Sequence, residues 1–364
     1  MKSRLVRFLA LTLVLALLAV GCSSKAPSAQ QPSAGGQASS GQAPQPSETA
    51  QPAAAVELKM VMFLVDKYPG NVFTHMFIDK VHSLSGGRLK INLIGGPEAI
   101  PTADQVGAVQ RGVVDIANAI LSSANSLVPG VVQVGRAEYA PAELREKGLV
   151  AYLQEQFKPH GLYYLGASSP SDPAEQVAFY FKEPVKSLSD LKGRKIATSG
   201  GLMKSFIAAL GATPVAIPFT EYFTAMERGV VDGYLVGVPG ILDWGLVPVT
   251  KCMLDEPLGS GSAAFFVNLK TWEGLAQEYK DILTQAAIET EKEGVRKWKE
   301  VTDETRAQIS KAGIQLVKFN KEDAVKFYKL YREKCLEESY AQGKKEIVDK
   351  IAELSLNPDF HRLK

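Results

Sequence analysis

The side chains that most often carry catalysis or bind metal ions are few in this chain and far apart. Its four histidines are His75, His82, His160 and His361. Metal ligands recur at short, fixed spacings, and these histidines and the three cysteines show no such spacing. We therefore expect neither a metal ion nor another cofactor.

Signatures of common enzyme classes are also missing from the sequence. It contains no G-x-S-x-G nucleophile motif, no H-E-x-x-H metalloprotease motif and no Walker loop for phosphate. Basic residues are scattered and the formal net charge is only +2, which does not favour a nucleic-acid partner. Binding without catalysis is therefore the favoured interpretation.

One short segment has the composition of an anion-binding turn. Residues 198–201 include Thr198, Ser199 and two glycines, and they directly precede a helix predicted over 203–210. The free N–H groups at a helix N-terminus bind anions, and a glycine-rich backbone can approach such a group closely. Lys204, in the first turn of that helix, could add a positive charge.

A phrase of eight residues occurs twice in the sequence. Residues 108–115 and 225–232 both read A-x-x-R-G-V-V-D. In each copy we expect a helix to end at the glycine, which tolerates a left-handed conformation, and the β-branched pair to begin a strand. Copies more than a hundred residues apart exclude a short solenoid repeat. They predict two lobes on one α/β plan with a cleft between them, unless the two junctions are alike by coincidence.

Hydrophobic periodicity predicts alternating strands and helices in both halves. In the first half we expect strands at 57–65, 89–94, 113–117 and 162–167, and helices at 71–84, 102–112 and 143–160. In the second half we expect strands at 195–198, 214–217, 230–235 and 263–268, and helices at 203–210 and 221–228. Thr102 and Gln105 match a capping box. From about 275 to 312 helix breakers are rare, which implies one helix of roughly 50 Å along both lobes.

The N-terminus has the pattern of an export signal. Three basic residues precede an apolar run from Phe8 to Val20, which is shorter than the roughly 20 residues of a membrane-spanning helix. The following Gly21-Cys22 resembles a bacterial lipobox, in which the cysteine is lipidated, although Ala19 stands where leucine is usual. An ordinary cleaved secretory signal is the alternative.

The segment after Cys22 consists largely of Ser, Gln, Ala, Pro and Gly. It cannot bury enough apolar surface to offset the entropy of ordering, so we expect a tether with a reach of about 30 Å. The chain then divides into a signal peptide at 1–21, a lipidated cysteine with a tether at 22–55, and a body at 56–364. Such a protein would be extracytoplasmic and lipid-anchored to the membrane.

Several phrases succeed one another along the body. In the second half they are Asp190-Leu191-Lys192-Gly193-x-Lys195-Ile196, Leu210-Gly211-Ala212-Thr213-Pro214-Val215, Pro218-Phe219-Thr220-Glu221-Tyr222 and Gly229-Val230-Val231-Asp232-Gly233. In the first half they are Ser85-Gly86-Gly87-Arg88, Gly95-Gly96 and Val109-Gln110-x-Gly112-x-Val114-Asp115, and Val267-Asn268 with Trp272 precedes the long helix. Together they resemble the substrate-binding proteins of TRAP (tripartite ATP-independent periplasmic) transporters, the DctP-type family, over essentially the whole body.

The resemblance implies an α/β, two-lobed periplasmic-binding-protein fold with hinged lobes, mixed sheets and a long helix bridging both lobes. Lobe I would cover about 56–170 with parts of the C-terminal region, lobe II about 171–262, and the helix about 275–312. The implied function is capture of a small, usually anionic organic solute in the interlobe cleft and its delivery to the small and large membrane subunits of a TRAP permease. The ligand would close the lobes by its higher affinity for the closed form. We expect a monomer.

The sequence departs from the family where the ligand carboxylate is usually held. In the family an arginine in the strand after the D-L-K-G phrase pairs with that carboxylate; Ala197 aligns there, and Arg194 lies two or three residues too early. A second family arginine also has no match, because none occurs between Arg145 and Arg194. Val236 aligns with the ligand-binding asparagine that often comes after the V-D-G phrase.

Other positions agree with the family. Phe219 aligns with the aromatic residue that packs on the ligand in relatives, and Glu221 with an acidic residue that could instead support the start of a helix. Glu98 and Asp104 lie near a first-lobe loop that contributes a carboxylate in some relatives. Further walls could come from Met62, Phe63, Tyr222, Tyr234 and Trp244, for each of which packing in the core is the alternative.

These residues predict a binding protein that does not use the usual arginine–carboxylate pair. A carboxylate buried opposite Ala197 and Val236 would lack a partner, at a cost of several kcal/mol. The expected ligand is neutral, aromatic or largely apolar, or an anion held by the backbone of 198–201. A ligand-sensing lipoprotein that feeds a signalling partner and a structural lipoprotein are the alternatives. For Cys252 and Cys335 a disulfide and two buried thiols both remain open.

Overall fold

Two β-sheets and the helices around them make up the computed structural model, which describes residues 55–65, 71–168, 177–198, 203–259 and 263–364. The strands are β1 Val56–Met62, β2 Leu89–Leu93, β3 Ile116–Ile120, β4 Leu162–Ala167, β5 Val177–Phe181, β6 Lys195–Thr198, β7 Thr213–Ala216, β8 Gly233–Gly237, β9 Cys252–Leu258, β10 Ala263–Asn268 and β11 Gln315–Val317. The α-helices are α1 Val72–Leu84, α2 Gln105–Gln110, α3 Pro141–Glu146, α4 Leu149–Phe157, α5 Lys204–Ala209, α6 Tyr222–Glu227, α7 Gly240–Asp243, α8 Leu269–Gly274, α9 Gln277–Lys311, α10 Lys321–Gln342 and α11 Lys345–Ser355. The expected signal peptide, Cys22 and the tether up to residue 54 lie outside these residues.

Each sheet forms the centre of one lobe. Lobe I is built on the order β2-β1-β3-β10-β4, in which β10 runs antiparallel to both of its neighbours. Lobe II is built on the order β11-β9-β5-β8-β6-β7, in which β5 runs antiparallel to both of its neighbours. The chain passes between the sheets from β4 to β5 and from β9 to β10, and each sheet places its two crossing strands side by side. The expected two-lobed fold with mixed sheets is confirmed.

The two copies of the repeated phrase fold alike. After α2, Gly112 has φ 71° and the Val113 N–H donates to the Ala108 carbonyl at 2.9 Å. After α6, Gly229 has φ 72° and the equivalent hydrogen bond is also 2.9 Å long. Both helix ends are Schellman motifs, which need a residue in the left-handed conformation.

The prediction that the valine pair begins a strand is wrong in both copies. Val113 and Val230 are 57% and 51% exposed, and the strands begin only at Ile116 and Gly233. The first valine is part of the helix cap, because its N–H is bonded back to the helix. A β-branched pair can therefore occupy a turn instead of a strand when the backbone N–H of its first residue is used in the helix cap.

The long helix α9 bridges both lobes, as expected. Near its start, Tyr279 and Leu283 pack in the apolar core beneath the sheet of lobe I. Near its end, Ile309 packs in the core of lobe II, and the Arg306 Nε donates to the Asp255 carboxylate at 3.0 Å. A helix that contacts both lobes can transmit the movement of one to the other.

Several elements were not predicted. Strands β5, β9 and β11 and helices α10 and α11 have no counterpart among the predicted elements, and the single helix expected over 143–160 is divided into α3 and α4 at Gly148, whose φ is 86°. Helix α10 is also shared by the lobes: Phe327 packs in lobe II, whereas Ser339 accepts a hydrogen bond from the Arg136 guanidinium of lobe I at 2.6 Å.

The two cysteines of the body are separate buried thiols. Cys252 lies on β9 and Cys335 on α10, and both are free. Burial raises the pKa of the Cys335 thiol to about 11. Within the described ranges, no helix has the length and apolar character needed to cross a membrane.

Candidate ligand-binding cleft

Ligands of open α/β sheets bind beside the carboxyl ends of the strands. In lobe I these ends include Met62 on β1 and Ile120 on β3; in lobe II they include Thr198 on β6, Ala216 on β7 and Gly237 on β8. The predicted site residues lie on the strands of the two sheets or in the segments after them. The fold therefore gives each lobe one surface on which these residues can meet a ligand.

A row of aromatic side chains runs from the surface of lobe II into its core. Trp244 stacks on Phe219 with ring centroids 5.7 Å apart, and Phe219 and Tyr222 form a T-shaped pair with ring centroids 5.3 Å apart. The row continues from Tyr222 to Tyr234 at 5.7 Å and from Tyr234 to Tyr180 at 5.1 Å. Trp244 is 37% exposed, whereas the three tyrosines are 0% exposed. We call these five residues the aromatic row; its outer end is available to a ligand.

The inner tyrosines of this row have structural hydrogen bonds. The Tyr234 hydroxyl lies 2.6 Å from the Thr250 hydroxyl, which donates to the Leu246 carbonyl. The Tyr180 hydroxyl donates to the Val238 carbonyl at 3.2 Å. Burial raises the pKa of Tyr180 and that of Tyr234 well above the usual value for tyrosine. Both are neutral phenols that fix the inner end of the row.

Four of the predicted ligand-binding residues lie in the core of lobe II. Ala197, Tyr222 and Tyr234 are 0% exposed and Val236 is 3% exposed, and all four belong to one apolar cluster. In this arrangement they contact one another rather than open space. For Tyr222 and Tyr234 this burial agrees with the packing alternative, whereas Phe219 and Trp244 keep part of their surface exposed.

Arg194 does not compensate for the missing arginine at position 197. Its Nε donates to the Asp190 carbonyl at 2.7 Å, and its guanidinium lies 5.6 Å from the centre of the Phe181 ring. These contacts hold it before the amino end of β6, whereas a ligand would lie beyond the carboxyl end. There Thr198 is buried at 4% exposure, while Ser199 and the rest of the predicted anion-binding turn lie outside the described residues.

The carboxyl end of β1 is held by the segment that leads into α2. The Gln105 Nε2 donates to the Met62 carbonyl at 2.8 Å, and the Thr102 hydroxyl donates to the Phe63 carbonyl at 3.1 Å. The predicted capping box is therefore wrong, because both side chains satisfy the end of a strand instead of the start of a helix. Phe63 keeps part of its surface exposed, whereas Met62 is fully buried.

Glu98 supports a turn at the rim of lobe I. The side chain is exposed, and its Oε1 accepts a hydrogen bond from the Gly96 N–H at 2.6 Å. A Cβ at Gly96 would lie 2.5 Å from the Leu64 carbonyl oxygen, so only glycine allows the two backbones to approach. The carboxylate therefore has a structural role that sequence reasoning did not anticipate, beside its predicted role toward a ligand.

A buried polar cluster in lobe I was missed from the sequence. The Asn118 side-chain amide on β3 donates to the Thr74 hydroxyl of α1 at 2.6 Å and accepts a hydrogen bond from the Ser168 hydroxyl. All three are at most 2% exposed. The one signal was an asparagine among the apolar residues of β3. The cluster connects β3, α1 and the end of β4. Its hydrogen bonds fix the relative direction of these elements more strictly than hydrophobic contacts would.

The described segments at the candidate cleft carry negative charge. Residues 63–65, 94–104, 217–221 and 238–246 come after β1, β2, β7 and β8, and none of them is basic. Their acidic residues are Glu98, Asp104, Glu221 and Asp243. Partial burial raises the pKa of the Asp243 carboxyl above its usual range. Beyond β6, helix α5 begins with the exposed Lys204, which adds a basic side chain to the candidate cleft.

Two mixed α/β lobes, joined by two adjacent crossings and bridged by one long helix, define a solute-binding protein of the periplasmic type. Proteins of this class bind a solute and do no chemistry on it. The chain belongs to the DctP family, the bacterial extracellular solute-binding proteins of family 7, whose model matches residues 61–342. The resemblance inferred from the short phrases is thereby confirmed.

Known relatives agree with this assignment over most of the chain. A monocarboxylate 2-oxoacid-binding periplasmic protein of Nostoc sp. is 26% identical over 269 residues, which cover 67% of this chain and 68% of the relative. The ectoine-binding periplasmic protein TeaA of Halomonas elongata is 22% identical over 303 residues, covering 79% of this chain and 87% of TeaA.

Solved structures show the same fold. The ligand-free structure of TeaA, described as part of the TeaABC TRAP transporter, has a TM-score of 0.72 at 19% identity and covers 82% of this chain and 97% of its own. An open, ligand-free TRAP solute-binding protein of Rhodobacter sphaeroides has a TM-score of 0.69 at 21% identity, covering 82% and 96%. The protein is thus an extracytoplasmic solute-binding receptor of the TRAP-transporter type.

Proposed function

We propose that this receptor captures a neutral, aromatic or largely apolar organic solute and delivers it to a TRAP membrane permease. The observation that carries the proposal is the outer end of the aromatic row, where Trp244 stacks on Phe219 and stays 37% exposed. A flat apolar surface of this kind gains free energy from a ring or hydrocarbon, with about 0.5–1.5 kcal/mol for each good aromatic pair beyond the area buried.

The charges around the candidate cleft argue against a ligand held as a carboxylate. The described segments 63–65, 94–104, 217–221 and 238–246 contribute carboxylates and no basic side chain. An anion bound beside these segments and away from Lys204 would be desolvated without a charged partner, which costs several kcal/mol. A neutral ligand avoids that cost.

The family fold does not determine the ligand, so the ligand class has to be inferred from the residues that line the cleft. The solutes named for the relatives, a 2-oxoacid and ectoine, differ from each other on one common fold. Differences in ligand must therefore come from the side chains exposed at the cleft rather than from the fold.

Delivery to a membrane partner would be helped by an N-terminal anchor. The export signal and Cys22 predict a lipidated receptor whose body is tethered to the membrane by 22–55. Mass spectrometry of the protein purified from membranes of its source would show a diacylglyceryl modification at Cys22. A Cys22→Ser variant should be released from the membrane; if it stays bound, the anchor lies elsewhere.

The ligand class is tested by identifying what the protein binds. Mass spectrometry of small molecules released from the purified protein should yield an aromatic or uncharged compound, and the same compound should raise the melting temperature of the ligand-free protein. Trp244→Ala should weaken binding at least about tenfold, the equivalent of about 1.4 kcal/mol. Tyr340→Ala, an exposed aromatic residue of α10, serves as the matched control and should have no effect.

The opposite outcome is equally well defined. Tight calorimetric binding of simple C4-dicarboxylates that Arg194→Ala abolishes would show that the usual ion pair is present and the proposal is wrong. Tight dicarboxylate binding unaffected by that variant would also overturn the proposed ligand class, and would favour an anion held near the backbone of 198–201 and Lys204.

A further inference from the structure

Strand β4 contains a β-bulge just before the chain leaves lobe I. Along β10, Phe265 faces Gly166 and the next residue, Phe266, already faces Tyr164. Leu165 is therefore an extra residue in β4, and the backbone groups around it fall out of register with β10. A bulge bends its strand and so redirects the chain beyond it. Ala167 is the last residue of β4 before the crossing to β5.

Two charged side chains satisfy the backbone groups that the bulge displaces. The Arg145 Nη2 donates to the Leu165 carbonyl at 2.9 Å, and the Ala167 N–H donates to the Glu291 Oε1 at 3.0 Å. Arg145 lies on α3 and Glu291 lies on α9. The bulge is therefore held by side chains from two helices, α3 and α9.

The same two side chains form a bidentate ion pair with each other. The Arg145 Nε donates to the Glu291 Oε2 at 2.6 Å, and its Nη2 donates to Oε1 at 2.9 Å. The side chains are 17% and 3% exposed, so the pair is largely removed from water. Two parallel hydrogen bonds of this kind fix both position and direction. We call Arg145, Glu291 and the bulged residues 165–167 the crossing clamp.

Gly166 makes the clamp possible. A Cβ at this position would lie 2.5 Å from the Glu291 Oε1 and would also overlap the Arg145 guanidinium. The absence of a side chain therefore lets the ion pair lie directly against the strand. The close fit of backbone, arginine and glutamate leaves little freedom for the end of β4.

The second crossing, from β9 to β10, is held at its lobe II end. In lobe II, Glu256 on β9 accepts hydrogen bonds from the Tyr328 hydroxyl at 3.0 Å and from the Phe319 N–H at 3.1 Å. The Arg362 guanidinium donates to the Pro257 carbonyl at 2.9 Å. One crossing is thus fixed on the lobe I side by α3 and α9, and the other on the lobe II side by α10 and the C-terminal segment.

We infer that Arg145 and Glu291 are positioning residues for lobe movement: their ion pair holds the bulged end of β4 against the bridging helix and so sets the direction in which the chain leaves lobe I. The clamp joins two elements that connect the lobes: β4, from which the chain leaves lobe I, and α9, which packs against both lobes. It determines the interlobe angle of the ligand-free protein and thereby the fraction of molecules ready to bind. This inference goes beyond the proposed function and does not depend on the ligand.

The interlobe distance of the ligand-free protein provides the test. Spin labels on Glu155→Cys of α4 and Glu227→Cys of α6, both exposed positions, report the separation of the lobes by pulsed electron resonance. The background carries Cys22→Ser, and the two thiols of the body are buried. Glu291→Gln keeps the size of the side chain and removes the charge; it should displace or broaden the distance distribution.

A matched variant on the same helix separates a general loss of charge from loss of the clamp. Glu293→Gln removes a carboxylate that is 45% exposed and pairs with Lys80 at 2.9 Å, and should leave the distribution unchanged. If Glu291→Gln does not fold, Arg145→Lys keeps the positive charge but loses the bidentate geometry and should change the distribution in the same way.

A folded Glu291→Gln or Arg145→Lys protein with the parent distribution would overturn the inference, even if its melting temperature were lower. Such a result would reduce the pair to a structural ion pair. Because no ligand is used, this outcome leaves the proposed ligand class untouched, and failure of the ligand test leaves the clamp untouched.

Discussion

Single carboxylates hold corresponding backbone positions in the two lobes. The Asp115 side chain accepts a hydrogen bond from the Lys59 N–H at 2.9 Å, and the Asp232 side chain accepts one from the Lys195 N–H at 2.8 Å. In each case the aspartate N–H also donates back to the same lysine's carbonyl. The repeated phrase is therefore explained residue by residue: glycine ends the helix, the second valine is buried, and aspartate joins the next strand to its neighbour.

Asp190 provides a pH-dependent prediction at this scale. Its Oδ2 accepts hydrogen bonds from the Lys186 N–H at 2.8 Å and from the Ser187 N–H at 3.0 Å. These backbone bonds lower the pKa of the carboxyl below its usual value of 3.8. A lowered pKa in the folded state stabilises the protein above the unfolded-state value, and this contribution is lost as pH falls through the folded-state pKa.

Asp190→Asn should therefore be less stable than the parent at neutral pH, and the difference should shrink below about pH 4, where the unfolded carboxyl is protonated. Urea unfolding at a series of pH values measures the difference directly. The exposed carboxylate of Glu155 provides the control, because Glu155→Gln removes a charge on α4 instead. A difference that stays constant down to the acid limit would contradict the assigned cause.

At the scale of elements, the position of α9 against α1 depends on a glycine as well as on apolar side chains. Gly294 is buried against the ring of Phe73, which is 2% exposed and is the second residue of α1. A Cβ at Gly294 would overlap that ring. The glycine lowers helix propensity, yet it permits the close approach of α9 to α1.

Gly294→Ala should therefore destabilise the protein although alanine favours helices by about 1 kcal/mol over glycine. Overpacking at a buried ring costs roughly 1–3 kcal/mol, so the net loss should be of the order of 1 kcal/mol. Gly274→Ala on α8 is the control, since no atom lies within 4 Å of the added Cβ. Urea unfolding measures the free energy of unfolding of both variants. If both are stabilised equally, α1 moves aside at no cost and the prediction is wrong.

Most elements with a clear period were predictable from the sequence, but α11 was missed although its buried residues Ile347, Val348 and Ile351 recur at helical spacing. β4 and β6 have the predicted bounds, whereas β5 and β9 escaped notice because both faces of these central strands are largely buried and do not alternate. The site was less predictable. Burial of Tyr222 and Tyr234 depends on how α6 folds over the sheet of lobe II, and the Arg145–Glu291 contact joins residues 146 positions apart.

At the scale of the whole molecule, the lobes are connected by more than the two crossing strands. Helix α9 contributes to the cores of both lobes, and α10 contacts both through Phe327 and Ser339. The Arg332 Nε also donates to the Glu138 carboxylate at 2.8 Å, next to the lobe I residues that surround Arg136. A lobe that unfolded alone would expose the face of each shared helix, so independent unfolding is unfavourable.

The two lobes should accordingly unfold in one transition. Trp272 stacks on Tyr163 of lobe I at 3.8 Å, and Trp244 stacks on Phe219 of lobe II, so each can report on one lobe. Two variants with a single tryptophan are needed, with the other tryptophans, including Trp298, replaced by phenylalanine. Their fluorescence midpoints in urea should coincide with each other and with the loss of helical circular dichroism. Separate midpoints would show that α9 and α10 do not couple the lobes, and that hinge movement and stability are governed by each lobe on its own.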